Sequence, residues 1–237
     1  MNIMNRIRLN IPNAITCLNL LSGIAAIIFA FRCGVCEGGL RGYEWSALFI
    51  LFSAVCDFFD GFSARLLRAY SDLGKQLDSL SDLVSFGVAP AMLVLNCAIY
   101  GGTPAAAAWL ALMIPVCGAL RLARFNLDSS GSHNFRGLPI PSCALFCIGL
   151  SFYLAQNTVS PWLAAAAIVA VSLAMVSRMR MYSLKISSLS FKNAAHIYLL
   201  AAVSAVLVCL MGAKALLWII IFYAASSFIL RNTKYTD

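Results

Sequence analysis

Long apolar stretches separated by short polar ones recur along the chain, and none alternates with the two-residue period of a half-buried strand. They run at about Ile11 to Phe31, Trp45 to Ala64, Leu83 to Tyr100, Ala105 to Leu122, Leu138 to Ala155, Trp162 to Val176, Ala194 to Met211 and Ala215 to Leu230. Such lengths suit the roughly 30 Å of hydrocarbon in a bilayer, so the pattern predicts an all-α integral membrane protein with about eight spans. The ten-residue alternating segments of an outer-membrane barrel are absent. Residues Met1 to Asn10 carry Arg6 and Arg8 without a cleavage-site pattern, so the first span is expected to stay attached rather than be removed as a signal peptide.

Composition strengthens this picture. Of the 237 residues 62% are hydrophobic and 11% charged, with a mean hydropathy of +0.87. A soluble domain has about 45–50% apolar and about 25% charged residues, which excludes an ordinary water-soluble globule. No repeat period, low-complexity tract or soluble domain interrupts the apolar runs.

The net charge of +8 would point to nucleic acid in a soluble protein, but the basic residues fall between the apolar runs. Topology and anionic lipid are the better reading, and no nucleic-acid partner is expected. Counting Lys and Arg on alternate sides places Arg6, Arg8, Arg65, Arg68, Lys75, Arg121, Arg124, Arg136, Arg178, Arg180, Lys185, Lys192, Arg231 and Lys234 together, 14 of 17, against Arg32, Arg41 and Lys214. The positive-inside rule then puts both termini in the cytoplasm and the protein in the cytoplasmic membrane. The long polar interruptions, Arg65 to Leu77, Arg124 to Gly137 and Arg178 to Asn193, share that side, so function is expected at the cytoplasmic interface. Lys185 and Lys192 would meet anionic lipid, and His133 and His196 read as incidental.

Most of the nine cysteines lie in or beside apolar runs, where a free thiol acts as a small hydrophobe. Cys33 and Cys36 form a Cys-x-x-Cys in a short loop. That spacing alone leaves metal binding, redox cycling, pairing or no role open.

The candidate chemistry is concentrated. Five of the nine acidic residues fall between Asp57 and Asp82. Asp57 and Asp60 are spaced i,i+3 at the end of the second span, and Asp78 and Asp82 i,i+4 at the start of the third, so each pair shares a helix face. A carboxylate at mid-helix depth in a membrane costs roughly 2.5–3.5 kcal/mol, so four together call for a neutralising partner. Hard oxygen ligands in that number suit Mg²⁺ or Mn²⁺, and two such ions about 3.5–4 Å apart can clamp a phosphoryl group. No His or Cys joins the set, which argues against zinc. Gly61, Ala64 and Gly74 are small residues that would let a substrate or another helix approach the backbone.

Asp57-x2-Asp60-Gly61-x2-Ala64-Arg65-x8-Gly74-x3-Asp78-x3-Asp82 has eight fixed positions within 26 residues. This string resembles the signature of the CDP-alcohol phosphatidyltransferase family at every signature position. The resemblance implies a six-helix membrane core over residues 1–177 that transfers a phosphatidyl group from a CDP-linked lipid to an alcohol and releases CMP. A basic loop at 178–193 and two additional C-terminal spans in 194–237 would lie beyond it. By the same resemblance Asp57, Asp60, Asp78 and Asp82 would bind one or two divalent ions, and Asp82 would act as general base. Asp57, Gly61, Ala64, Arg65 and Gly74 would form the CDP site. Ile11-Pro12-Asn13-x2-Thr16-x2-Asn19 resembles the family's first span, where Asn13, Thr16 and Asn19 share one face and either bond the nucleotide or hold helices together. A homodimer is the expected assembly.

The acceptor must be read outside the signature. Ser85 to Pro90, Cys117 to Asn126 and Phe135 to Pro141 resemble the membrane-embedded branch whose acceptor is L-serine and whose donor is CDP-diacylglycerol. Arg121, Arg124, Asn126 and Arg136 are the candidate serine-binding residues, since guanidinium groups pair with a carboxylate. They would equally meet a phosphate, so glycerol 3-phosphate and inositol phosphate remain alternatives. Intramembrane acids also occur in cation transporters, though here they sit at a helix end and no second half copies them.

Overall fold

A computed structural model describes residues 3–69, 71–127, 137–177 and 203–229. Arg136, His133, Arg178, Arg180, Lys185, Lys192, His196, Arg231 and Lys234 lie outside the described residues. The chain is almost entirely helical. Helix α1 (Ile3–Ala30) turns through a short hairpin, β1 (Cys36–Glu37) and β2 (Leu40–Arg41), into α2 (Gly42–Leu67). Then come α3 (Asp72–Asp82), a π-helical segment (Leu83–Val88) and α4 (Ala89–Tyr100), which together make one apolar rod. Helix α5 (Ala105–Ala108) runs through a 3₁₀ turn into α6 (Met113–Leu127), followed by α7 (Ile140–Gln156) and α8 (Pro161–Val176). The last described elements are α9 (203–211) and α10 (Ala215–Ile229), joined by a 3₁₀ turn at Gly212–Lys214.

Among the described residues, five stretches are long and apolar enough to cross a membrane: Asn10–Ala30, Gly42–Leu67, Asp72–Tyr100, Ala105–Leu127 and Val203–Ser227. Helices α7 and α8 are apolar but shorter. Of the two C-terminal spans that the sequence pattern gives, the first begins outside the described residues; the described part, Val203–Ser227, turns at Gly212, φ +57. A small hairpin accompanies the helices. Gly38 and Gly39 have φ of +61 and +87, the left-handed pair a tight two-residue turn demands, and the Trp45 indole donates to the Glu37 carbonyl at 2.8 Å to anchor it.

The core gathers where α4 and α7 cross, around Phe86, Leu93, Val94, Ile140, Ile148 and Leu154, each no more than 1% exposed. Leu18, Leu21, Ile28, Phe52, Val55 and Trp162 point outward, as expected of a bundle whose outer solvent is lipid. Helix α10 packs on α7 at Gly149, where a Cβ would collide with the Leu217 backbone. The Trp218 indole donates to the Tyr153 hydroxyl at 2.8 Å, and the Lys214 ammonium lies 5.3 Å above that ring. Helix α10 and the turn before it are therefore docked onto the core.

One break in the regular rod positions the chemistry. Pro90 has no N–H to offer the Phe86 carbonyl, and the Ala89 N–H bonds to Val84, five residues back. The wider turn directly follows Asp82, and π-turns of this kind reset the rotation of a helix relative to its continuation. The face bearing Asp78 and Asp82 is thereby rotated independently of α4.

Candidate active site

Helices α2 and α3 follow each other as a hairpin that brings their acidic residues together. Helix α2 stops at Arg68, whose left-handed φ of +51 caps it with bonds to Ala64 and Arg65 carbonyls. Helix α3 starts at Ser71, whose hydroxyl accepts the Gly74 N–H at 3.0 Å. Asp57 and Asp60 lie ten and seven residues before the end of α2; Asp78 and Asp82 lie six and ten residues after the start of α3. At 1.5 Å per residue all four sit about 9–15 Å in from the helix ends, at matching depth.

Asp57, Asp60 and Asp78 each offer a carboxylate oxygen, and these atoms lie within 4.8 Å of one another. Asp78 Oδ1 is buried and makes no hydrogen bond. An orphaned acceptor beside two further carboxylates fits a hard divalent cation well. Asp82, one turn beyond Asp78, stands outside that trio but within its electrostatic reach. The structure thus separates one carboxylate from the four that the spacing had grouped.

The polar face of α1 lies against this cluster. The Thr16 hydroxyl donates to Asp60 Oδ2 at 2.8 Å, with the Pro12 carbonyl 3.0 Å away as a second acceptor. Asn19 Nδ2 makes a long 3.5 Å bond to Asp82 Oδ1, while its own Oδ1 is buried without a hydrogen-bond partner. Of the two roles left open for this face, hydrogen bonding between helices is the one these contacts display, with acidic side chains as the partners.

Three buried serines, of which only Ser85 lies in a segment the sequence singled out, tie the elements together. Ser53 of α2 and Ser85 of the π segment both donate to the Asn19 carbonyl, at 3.1 and 3.0 Å, and Ser81 of α3 donates to the Thr16 carbonyl at 3.2 Å. Single serines in apolar helices are common as packing residues. Beyond that segment, the only sequence signal was their shared face with Asp60, Asp78 and Asp82.

The remaining candidates divide. Gly61 has open space where a Cβ would project, next to Asp60, so a ligand can approach the backbone there. At Gly74 a Cβ would press on Asn13 Oδ1 at 3.0 Å, so this glycine serves the approach of α1 to α3. Arg65 is exposed and its Nε bonds back to the Gly61 carbonyl at 3.0 Å; Ala64 is half-buried one turn from Asp60. Arg121 is half-buried, feels the charge of Asp82, and its Nε is buried without a hydrogen-bond partner. Asn126 Nδ2 donates to the Ser79 hydroxyl at 2.8 Å, tying α6 to α3. Arg124 turns the other way, donating at 3.3 Å to the Val176 carbonyl at the end of α8. Three candidates from one segment therefore have three different surroundings.

The family model for CDP-alcohol phosphatidyltransferase matches residues 9–177. A CDP-diacylglycerol–serine O-phosphatidyltransferase of Bacillus subtilis is 38% identical over 170 residues, 72% of this chain and 88% of its own. An archaetidylserine synthase of Methanothermobacter thermautotrophicus is 36% identical over 172 residues, 70% of this chain and 67% of its own. A CDP-diacylglycerol–serine O-phosphatidyltransferase of Mycobacterium leprae is 33% identical over 223 residues, 89% of this chain and 70% of its own. With the acidic cluster assembled as that signature requires and the family model covering most of its length, the chain belongs to the CDP-alcohol phosphatidyltransferase family.

Proposed function

We propose that this protein transfers the phosphatidyl group of CDP-diacylglycerol to the hydroxyl of L-serine, giving phosphatidylserine and CMP, at the cytoplasmic face of the cell membrane. The observation that carries the reading is the convergence of Asp57, Asp60 and Asp78, with Arg121 within reach of Asp82 and its buried Nε unpartnered, within a family whose matched relatives bear serine-acceptor names. The core is residues 1–177, followed by a basic segment at 178–193 and two further spans in 194–237. Both termini face the cytoplasm, as the 14 to 3 distribution of Lys and Arg supports. A homodimer is the assembly we assign.

Asp57, Asp60 and Asp78, with Asp82 at the edge, would hold one or two Mg²⁺ or Mn²⁺ ions. A divalent cation bound there supplies charge neutralisation for the diphosphate and for the leaving CMP. Thr16 restrains Asp60 and Asn19 restrains Asp82, so the carboxylates are oriented before substrate arrives. Gly61 leaves room for the nucleotide against α2, with Asn13, Ala64 and Arg65 flanking it. Phe58, Phe59 and Phe62 stand exposed on α2 beside the cluster and give the lipid's acyl chains an apolar flank. Arg121 takes the serine carboxylate, with Asn126 held nearby through Ser79; Arg124 and Arg136 are the further residues assigned to the acceptor. Asp82 accepts the proton as the serine oxygen bonds to the lipid-side phosphorus and the bond from that phosphorus to the CMP oxygen breaks. No Ser or Cys nucleophile stands in the signature, which favours direct displacement; isolation of a phosphatidylated enzyme would sink that step.

The test is CMP release by purified protein given CDP-diacylglycerol and a divalent ion, with L-serine, glycerol 3-phosphate or inositol phosphate added in turn. Release that depends on serine is expected. Release only with another acceptor would keep the acidic site and overturn the assignment of Arg121, and absence of release with every acceptor would overturn the reaction.

A further inference from the structure

The opposite end of the bundle holds a reactive pair that the transfer reaction does not use. Cys33, in the turn after α1, is 6% exposed, and Cys97, near the end of α4, is fully buried. Their sulfurs lie 3.2 Å apart, closer than ordinary van der Waals contact. The Cys-x-x-Cys spacing had drawn attention to Cys36 as the partner of Cys33, but Cys36 is exposed on β1. The surroundings hold the pair in place: a Cβ on Gly34 would strike the Tyr100 ring, and Arg41 reaches the Tyr100 hydroxyl at 3.5 Å. The loop is thus docked on the end of α4 independently of the thiols.

We propose that Cys33 and Cys97 form a disulfide that staples the α1–α2 turn to α4 on the outer side of the membrane. This rests on the orientation assigned above, because disulfides persist outside the cytoplasm and not within it. The sulfurs need only close to about 2.05 Å, a side-chain adjustment between residues already in contact. The oxidant is a dithiol-oxidising protein that donates its own disulfide. The Cys33 thiolate attacks one sulfur of the donor and releases the other as a thiolate, forming a mixed disulfide. Cys97 sulfur then attacks Cys33 and expels the second donor thiolate, so the two protein thiols lose two electrons and two protons and the donor becomes a dithiol. The neighbouring Cys97 thiol, which acts most strongly, and the Arg41 charge hold the Cys33 thiol below its ordinary range against the opposing effect of burial, which favours Cys33 as the attacking group.

The staple joins the two pieces of chain that carry the acidic residues. Asp57 and Asp60 sit on the α1–α2 hairpin, and Asp78 and Asp82 on the rod that ends near Cys97, about 22 Å further along. A link at the far end restricts how those pieces slide past each other, and it closes a loop across 64 positions of sequence.

The test uses the full-length protein in intact cells. Free thiols are first labelled with a membrane-impermeant reagent, then with a permeant one after denaturation, and cross-linked peptides are mapped by mass spectrometry. The expected result is a peptide joining Cys33 to Cys97, with Cys36 labelled by the impermeant reagent. Cys36 labelled from outside with Cys33 and Cys97 both free would overturn the disulfide and leave the orientation standing. Cys36 labelled only after the membrane is breached would overturn the orientation and the disulfide with it, and a Cys33–Cys36 peptide would overturn the pairing. As a second readout, reductant should lower the temperature of half-inactivation by about 5 °C in the native protein and not in Cys97→Ser, while CMP release at low temperature stays unchanged in both. An equal response of the two proteins to reductant would overturn the proposal.

Discussion

The rod from Asp72 to Tyr100 passes through two very different environments. In its outer half Leu93, Val94, Cys97 and Ala98 have no exposed surface and pack against α1, α2 and α7. In its inner half the same rod bears Asp78 and Asp82, facing Asp57 and Asp60 across a short gap, with Asp78 Oδ1, Asn19 Oδ1 and Arg121 Nε all buried and unpartnered. Buried polar groups normally find partners, because each one left alone costs about 1–3 kcal/mol. Such costs gathered around converging carboxylates indicate a place shaped for ligands, held by a half shaped for packing.

Substitutions can break or sharpen that contrast. The largest effect is expected from Asp78→Asn, which keeps the volume and removes one of three converging charges. CMP release should fall by about 10²–10⁴-fold while the thermal midpoint holds or rises, since repulsion among buried carboxylates is relieved. A fall in the midpoint matching the loss of activity would mean that the inner acids serve stability, and the contrast would collapse.

Leu93→Ala is the mirror experiment in the outer half. It should cost about 2–3 kcal/mol of stability by leaving a cavity beside α7, with kcat of the folded protein little changed. Melting and turnover measured on one preparation separate the two effects.

Arg121→Lys keeps the charge and removes the planar fork. The KM for serine should rise about tenfold, about 1.4 kcal/mol, with the KM for CDP-diacylglycerol nearly constant, whereas Arg124→Ala, whose side chain caps α8, should leave both within a factor of two. Comparable shifts for the two substrates would remove Arg121 from the acceptor site.

The smallest and most diagnostic change is Gly61→Ala. Nothing lies within 4 Å of the added methyl, and helix propensity favours Ala over Gly by up to about 1 kcal/mol. Stability should therefore rise slightly while the KM for CDP-diacylglycerol increases, because the open space next to Asp60 is where the nucleotide is placed. An unchanged KM would move the nucleotide elsewhere.

Much of this was legible in the chain. The signature from Asp57 to Asp82 named the acids, and the polar break from Arg65 to Leu77 named the hairpin that joins them, because charge in a lipid-spanning chain is too costly to be scattered without function. The face of Asn13, Thr16 and Asn19 was legible as polar but not as the neighbour of Asp60 and Asp82, since period gives a face and not its partner. Ser53 and Ser81 were invisible for the same reason, Ser85 was legible only as part of a resembling segment, and Arg121, Asn126 and Arg124 looked equivalent until their separate surroundings appeared.

What the sequence alone determined was the solvent, the family and the identity of the acidic residues, because hydropathy and exact spacing are properties of the chain itself. The tertiary structure decided that Asp57, Asp60 and Asp78 converge with Asp82 in reach, with the serine bonds to the α1 backbone holding α2 and α3 against α1. It also decided that Cys33 faces Cys97 rather than its near neighbour Cys36. Rotation of one helix against another is set by contacts between residues far apart in sequence, and no local pattern encodes it.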